Sequence, residues 1–296
     1  MAAAEAWGPD LRRVVAPNPG PFTERGTNTW LLGRGGVCVI DPGPDDARHL
    51  AAALHALAGE RVEAILVTHA HRDHSGLAPK LAERTGAPVL AFGDAFAGRR
   101  DPECEVGGGW GVDEGFAPDR LVADGEMLEG DGWRIRALHT PGHMGNHLCL
   151  DDGERLWTGD HAMGFATSLV SPPEGDMGDY MASLERLLAL GPRRLFPGHG
   201  GPVEDGAARL RDLLAHRRAR EAEVLAALEA GATNAVAIAE RLYATLPAGL
   251  RRAAERNVLA HLLDLRHRGL VAAQGPISDT VDFARVGGLD AAKPGC

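Results

Sequence analysis

Between Leu11 and about Val203 the apolar residues fall in short runs broken by turn residues. Runs at 30–32, 37–40, 64–68, 89–91, 134–138, 147–150 and 156–158 have the β-branched and bulky content of strands. Three stretches, 45–58, 76–84 and 179–190, space their apolar residues three and four apart, which predicts helices. Strands come both as hairpin-like pairs and as units joined through helices. That mixture predicts layered sheets covered by helices, not one parallel sheet.

After Pro202 the period becomes helical throughout, with helices expected over 207–230, 235–243 and 248–268. Thr233 or Asn234 can cap the second, and Gly269 ends the third. Residues 95–119, with three successive glycines at 107–109, read as a long surface loop, either a plain excursion or a lid over a site. Residues 274–296 have little pattern and read as a loose tail. The expected division is a mixed domain over 1–203, a small helical domain over 204–273 and the tail over 274–296.

Composition narrows the class. The chain has 296 residues, 44% of them hydrophobic and 24% charged, enough to bury a sizeable core. It carries no apolar stretch near the roughly 18–20 residues of a membrane span and no basic-then-apolar start, so no membrane association and a cytoplasmic location are expected. A net charge of −10 argues against a protein coated with nucleic acid. Residues 207–273 nevertheless hold 11 arginines against 7 acids, so the molecule is electrically two-sided. Cys38, Cys104, Cys149 and Cys296 are scattered and read as reduced thiols.

The strongest chemical signal follows the apolar run 64–68: His69-Ala70-His71-Arg72-Asp73-His74. A strand end followed by a turn can point His69 and His71 at one metal and swing Asp73 and His74 toward a neighbouring position. Imidazoles with a carboxylate suit Zn, Fe or Mn better than a thiolate-rich structural zinc site. His143, Asp160 and His199 each sit in a glycine-containing turn after an expected strand. An isolated histidine is more often structural than ligating, but here seven residues agree in type and order. His147 and His161 lie near the candidates and could support a ligand or donate a proton, but ordinary hydrogen-bonded residues are the expectation. His49, His55, His216, His261 and His267 fall on expected helices and receive no role.

The ordered set H-x-H-x-D-H, H, D, H resembles the metallo-β-lactamase superfamily over roughly residues 11–203. The resemblance implies an α+β fold, an αββα sandwich with the metal site at one edge of its two sheets. It implies that His69, His71 and His143 hold one divalent ion, Asp73, His74 and His199 a second, and that Asp160 bridges them. The ions implied are zinc, with manganese or iron as alternatives. Asp41, in Ile40-Asp41-Pro42-Gly43, matches a family carboxylate that orients a ligand imidazole. A bridging carboxylate in place of cysteine disfavours antibiotic hydrolysis and leaves phosphodiesters, thioesters and lactones. The mechanism implied uses a metal-bridging hydroxide, with Asp73 both binding metal and accepting a hydrogen bond from the nucleophile.

Asn18-Pro19-Gly20-Pro21, Gly26-Thr27-Asn28-Thr29-Trp30, Asp179-Tyr180-Met181, His216-Arg217 and the helical C-terminal segment extend the match to about Val271. Together they resemble the endoribonuclease-type, β-lactamase-like protein 2 subgroup, whose C-terminal segment is a winged-helix-like domain and whose activity is cleavage of single-stranded RNA. Arg251, Arg252, Arg256, Arg266 and Arg268 can meet phosphates, or pair with glutamates on a solvated helix. Tyr180 is expected to pack beneath the site. RNA or another ester-type substrate is the expected partner, and a homodimer stays open. The competing readings are a thioesterase of the glyoxalase II kind, a mononuclear iron persulfide dioxygenase, and a nucleic-acid-binding regulator with a vestigial site.

Overall fold

The computed structural model describes residues 4–100, 106 and 110–286. Cys104, Cys296 and glycines 107–109 lie outside the described residues. Seven strands form the first sheet, neighbours in chain order: β1 (Glu5–Ala6), β2 (Leu11–Val15), β3 (Asn28–Leu32), β4 (Gly36–Ile40), β5 (Arg61–Leu66), β6 (Val89–Ala91) and β7 (Arg120–Leu121). Five form the second, again in order: β8 (Met127–Gly130), β9 (Trp133–His139), β10 (Leu148–Asp151), β11 (Arg155–Gly159) and β12 (Arg194–Pro197).

Strands β3 and β4 are buried along their whole length, because both faces of the sheet are covered. On the inner face Trp30, Leu32, Cys38 and Ile40 meet Ile135, Leu148, Leu150, Trp157 and Phe196 of the second sheet. On the outer face Leu31, Val37 and Val39 pack under α1 (Ala47–Leu57) and α3 (Ala78–Thr85) through Ala52, Leu57 and Leu81. The short turn α2 (Arg72–Ser75) lies between those helices. The second sheet's outer face, including Leu138, Cys149 and Leu195, is covered by α4 (Met177–Leu188) and the start of α5 (Gly206–Glu229). The layers are thus α, β, β, α. Cys38 and Cys149 are buried free thiols, as expected for reduced cysteines.

Helix α5 joins two cores: Leu210, Leu213 and Leu214 pack on the sandwich, while Val224 and Ala227 belong to the C-terminal core. That core also takes in α6 (Ala235–Leu242), α7 (Ala248–His267) and the hairpin of β13 (Val271–Ala273) with β14 (Phe283–Arg285). Asn234 caps α6 by accepting the Ala237 N–H. The division expected at residue 204 therefore falls before a helix shared by both cores. The loose tail expected over 274–296 is corrected up to residue 286. Phe283 is buried and its strand pairs with β13, a long-range contact that local pattern does not carry.

Strand β2 was missed by the pattern because Arg12 and Arg13 interrupt its apolar run. Both are buried: Arg12 pairs with Glu60 at 2.6 Å, and Arg13 pairs with Glu5 and lies 5.2 Å and 5.6 Å from the ring centres of Trp7 and Trp30. The described residues 110–119 of the expected loop are no plain excursion. Val112 and Phe116 are in the core, and Arg72 donates its N–H to Gly111 O at 2.7 Å.

Candidate metal centre

Two parallel strand pairs bring the site together. In β4 and β5, Ile40 stands opposite Leu66, so Asp41 and the Thr68-His69 pair leave the first sheet side by side. Helix α2 then presents Asp73 and His74. In β11 and β12 a register shift places Gly159 opposite Pro197, and Asp160 and His199 follow those ends. His143 lies on the connection between β9 and β10. The Leu148 N–H donates to Thr68 O at 2.8 Å and ties the two sheets at this edge.

All seven candidate ligands meet there, in two clusters. One is His69, His71, His143 and Asp160; the other is Asp73, His74 and His199; within each, the donor atoms lie within 4.8 Å of one another. His71 Nδ1 is 2.9 Å from His69 Nε2 and 3.0 Å from His143 Nε2. His74 Nε2 is 3.3 Å from His199 Nε2. Asp160 spans both clusters. Its Oδ2 lies 3.7 Å from His143 Nε2 and 4.0 Å from His69 Nε2, and its Oδ1 lies 3.4 Å from His74 Nε2 and 3.3 Å from His199 Nε2.

The outward ring nitrogens are held by groups that fix the tautomers. His74 Nδ1 donates to Asp41 Oδ2 at 2.9 Å, and His143 Nδ1 donates to Leu169 O at 2.6 Å. His199 Nδ1 donates to Gly26 O at 3.3 Å. Thr68 donates its hydroxyl to Asp41 Oδ2 at 2.8 Å, so His69 Nδ1 donates to Thr68 Oγ1 at 3.0 Å. A carbonyl only accepts, so the proton sits outward and the inner nitrogen is left with a lone pair facing the cluster. Asp41 thus contacts His74 directly and reaches His69 through the Thr68 hydroxyl.

Electrostatics separate the clusters. Burial and the neighbouring imidazoles push His69 well below the ordinary histidine pKa, His71 down to about 3, and His143 lower as well. Burial also pulls on His199, but Asp160 and Asp73 outweigh it and raise its pKa to about 9. His74 is raised by the same two carboxylates and Asp41. Burial opposes the charge on Asp73 and Asp160, yet the adjacent imidazoles hold both below the usual carboxylate value.

This donor set fits a pair of divalent cations. Imidazole lone pairs about 3 Å apart repel unless a cation or proton stands between them. Two nitrogens at about 2.1 Å from a tetrahedral ion are about 3.4 Å apart, close to the separations here. Oδ1 of Asp160 is buried with no hydrogen-bond partner among the described residues, as expected of an oxygen reserved for a cation.

A 340 Å³ cleft opens over the clusters, lined by His71, Asp73, His143, Asp160 and His199 and walled by Phe22, Trp110, Met163 and Leu169. Phe22 is 45% and Trp110 52% exposed, and among the described residues no Lys or Arg lines the cleft. Sequence reasoning missed these walls, together with Thr27, whose hydroxyl donates to Asp73 Oδ2 at 3.1 Å. It also missed the Leu169 and Gly26 carbonyls, which leave no side-chain signature.

Other expectations fare unevenly. Tyr180 packs beneath the site, fully buried, its hydroxyl donating to His161 O at 2.9 Å. His147 Nδ1 meets Thr140 Oγ1 at 3.0 Å, but neither ring nitrogen of His161 finds a partner among the described residues. The arginines proposed to meet phosphates are largely engaged: Arg252 and Arg256 with Asp279, and Arg268 with Glu221 and Asp264. Arg251 and Arg266 are exposed. Among the described residues no helix is long and apolar enough to cross a membrane.

The metallo-beta-lactamase superfamily profile matches residues 22–199, and the beta-lactamase associated winged helix domain matches residues 235–277. The chain is 31% identical to a beta-lactamase-like protein 2 homolog of Caenorhabditis elegans, with 94% of this chain and 90% of that one aligned. It is 30% identical to an atrochrysone carboxyl ACP thioesterase of Aspergillus fumigatus, covering 90% of this chain and 82% of the relative. A crystal structure of a metallo-beta-lactamase family protein from Thermus thermophilus superposes with a TM-score of 0.76 at 30% identity, over 95% of this chain and all of that one. With the sandwich, the edge site and the appended helical core agreeing, the chain belongs to the metallo-beta-lactamase superfamily as a metal-dependent hydrolase carrying the associated winged-helix domain.

Proposed function

We propose a dinuclear hydrolase in which His69, His71 and His143 hold one divalent cation, Asp73, His74 and His199 hold the second, and Asp160 gives one oxygen to each. The observation that carries this reading is the division of Asp160: Oδ2 toward the first cluster and Oδ1 toward the second. Divalent cations held by these residues would lower the pKa of a water and polarise the scissile oxygen. Asp73, opening onto the cleft, accepts a hydrogen bond that orients the attacking water. Thr27 holds that carboxylate in place through Oδ2. Zinc is the ion this donor set suits first, with manganese or iron next.

As substrate we propose single-stranded RNA. Support comes from near full-length similarity to a beta-lactamase-like protein 2 homolog and from the exposed Phe22 and Trp110 rings at the cleft, which offer faces for stacking bases. A second reading, a thioester with an apolar acyl group, is favoured by the apolar Phe22, Trp110, Met163 and Leu169 among the described walls of the cleft and by the thioesterase relative. Both use the same centre. The test is metal content of the purified chain, then turnover of single-stranded RNA beside an acyl-pantetheine thioester, with His69→Ala as control. RNA cleavage lost in the control supports the first reading, and thioester turnover alone replaces it with the second.

A further inference from the structure

Helices α5 and α7 converge on one short segment of the sandwich domain, residues 168–171. Arg217 of α5 donates to Ser168 O. Asn257 of α7 accepts the Val170 N–H on Oδ1 at 3.1 Å, and the same oxygen accepts from Arg217 at 3.2 Å. Arg256 of α7 donates from Nε to Ser171 Oγ at 3.0 Å. The Asn257 amide is itself fixed, since Nδ2 donates to Ala253 O at 3.1 Å.

The clamped segment reaches the metal centre twice. Leu169 O, between the clamped residues 168 and 170, accepts from His143 Nδ1 at 2.6 Å. Ser168 Oγ lies 2.5 Å from Asp160 O and 2.9 Å from His161 O. Arg217 and Arg256 are almost completely buried. Arg217 has no carboxylate partner among the described residues and rests instead over the Tyr180 ring, 5.1 Å from its centre. Burying a guanidinium without a carboxylate is costly, so packing alone would favour an apolar residue there. A guanidinium does what an apolar residue cannot, which is to hold the Ser168 carbonyl and the Asn257 oxygen together.

We infer that the C-terminal helical domain braces the metal centre, with Asn257, Arg217 and Arg256 acting as positioning residues for His143 through the 168–171 segment. The domain then contributes to the site by setting one ligand's angle, whatever else it binds. This rests on the reading of His143 as a ligand. Outer-shell partners of a ligating histidine typically govern about 10–100-fold in metal affinity, and Leu169 O is such a partner.

The test is stepwise Zn²⁺ affinity of the full chain by chelator competition, in wild type, Asn257→Leu, Asn257→Asp, His143→Ala and the His143→Ala/Asn257→Leu double variant. Asn257→Leu is expected to weaken one of two sites at least about 10-fold and leave the other unchanged. Asn257→Asp, which keeps the accepting oxygen, restores it. In the His143→Ala background, Asn257→Leu has no further effect on the remaining site. Unchanged affinities in Asn257→Leu, or equal weakening with and without His143, overturn the brace. If Asn257→Leu does not fold, Arg256→Lys, which keeps the charge beside Asp279 but loses the Nε–Ser171 bond, is read in the same way. A wild-type chain that binds no Zn²⁺ overturns the metal reading itself, a result distinct from two tight sites in every variant.

Discussion

Asp41 Oδ2 stands 2.9 Å from His74 Nδ1, and the residue reaches that position from a backbone with φ of 52°. A non-glycine residue in the left-handed region costs roughly 1–2 kcal/mol, which the buried bonds to Thr68 and His74 offset. Asparagine tolerates that backbone but loses the charge. Asp41→Asn is therefore expected to fold and to weaken metal binding at the His74 cluster by about 10–100-fold. Chelator competition reads this directly, and wild-type affinity would show that the pairing does not tune the ligand.

Gly198 sits where any larger residue strikes the centre. A Cβ there would lie 2.6 Å from His74 Cε1 and 2.8 Å from Asp160 Oδ1, both buried. Gly198→Ala should shift these ligands by a few tenths of an ångström or more, with a loss in turnover on the order of 100-fold. Gly201→Ala, whose Cβ meets nothing within 4 Å, serves as the control and should keep wild-type turnover. Equal rates in the two variants would contradict the proposed crowding.

Much of the centre was legible in the sequence, for a physical reason. A site able to hold a cation needs side-chain donors, so the candidates His69, His71, Asp73 and His74 are visible as letters, and the apolar run before them marks the strand that delivers them. The carbonyls of Leu169 and Gly26 do equal geometric work but belong to the backbone, which every residue has. Charge counts decided less. The excess of arginine in the C-terminal region left phosphate contacts and pairing with acids both open, and Asp279, 23 residues beyond Arg256, pairs with Arg252 and Arg256. A count cannot see pairing across a turn. Strand β14 escaped for a similar reason, since its partner and the pocket for Phe283 come from elsewhere in the domain.

Acid stability should depend on Asp151, on β10. Burial raises its pKa, but Arg193 at 2.9 Å, Arg136 at 3.0 Å and the Gly153 N–H outweigh that and hold it below the ordinary aspartate value. A carboxylate depressed in the folded state adds stability above its unfolded pKa, and that stability is lost as pH falls through the folded value. With chelator present to remove any metal contribution, Asp151→Asn should lower Tm near neutrality. The difference from wild type should shrink below about pH 4, where the unfolded carboxyl protonates. A difference that is constant from pH 7 to pH 3 would mean that charge is not the source.

Bound metal should stabilise the fold as well as supply chemistry, because the clusters exist only in the folded chain. At an ion concentration about 1,000 times the dissociation constant, one site adds about 4 kcal/mol. Stripping the purified protein with chelator is expected to lower Tm by several degrees, with recovery on adding Zn²⁺. His69→Ala should recover less than wild type. No shift on stripping a protein shown to contain metal would place that metal outside the folded centre.

The dinuclear centre is tested most directly by anomalous diffraction from crystals of the Zn²⁺-loaded chain, recorded on both sides of the zinc edge. Two peaks are expected about 3.5–4 Å apart, one inside His69, His71 and His143 and the other inside Asp73, His74 and His199, with one Asp160 oxygen on each. A single peak, or two peaks with Asp160 on neither or only one, would contradict the dinuclear centre.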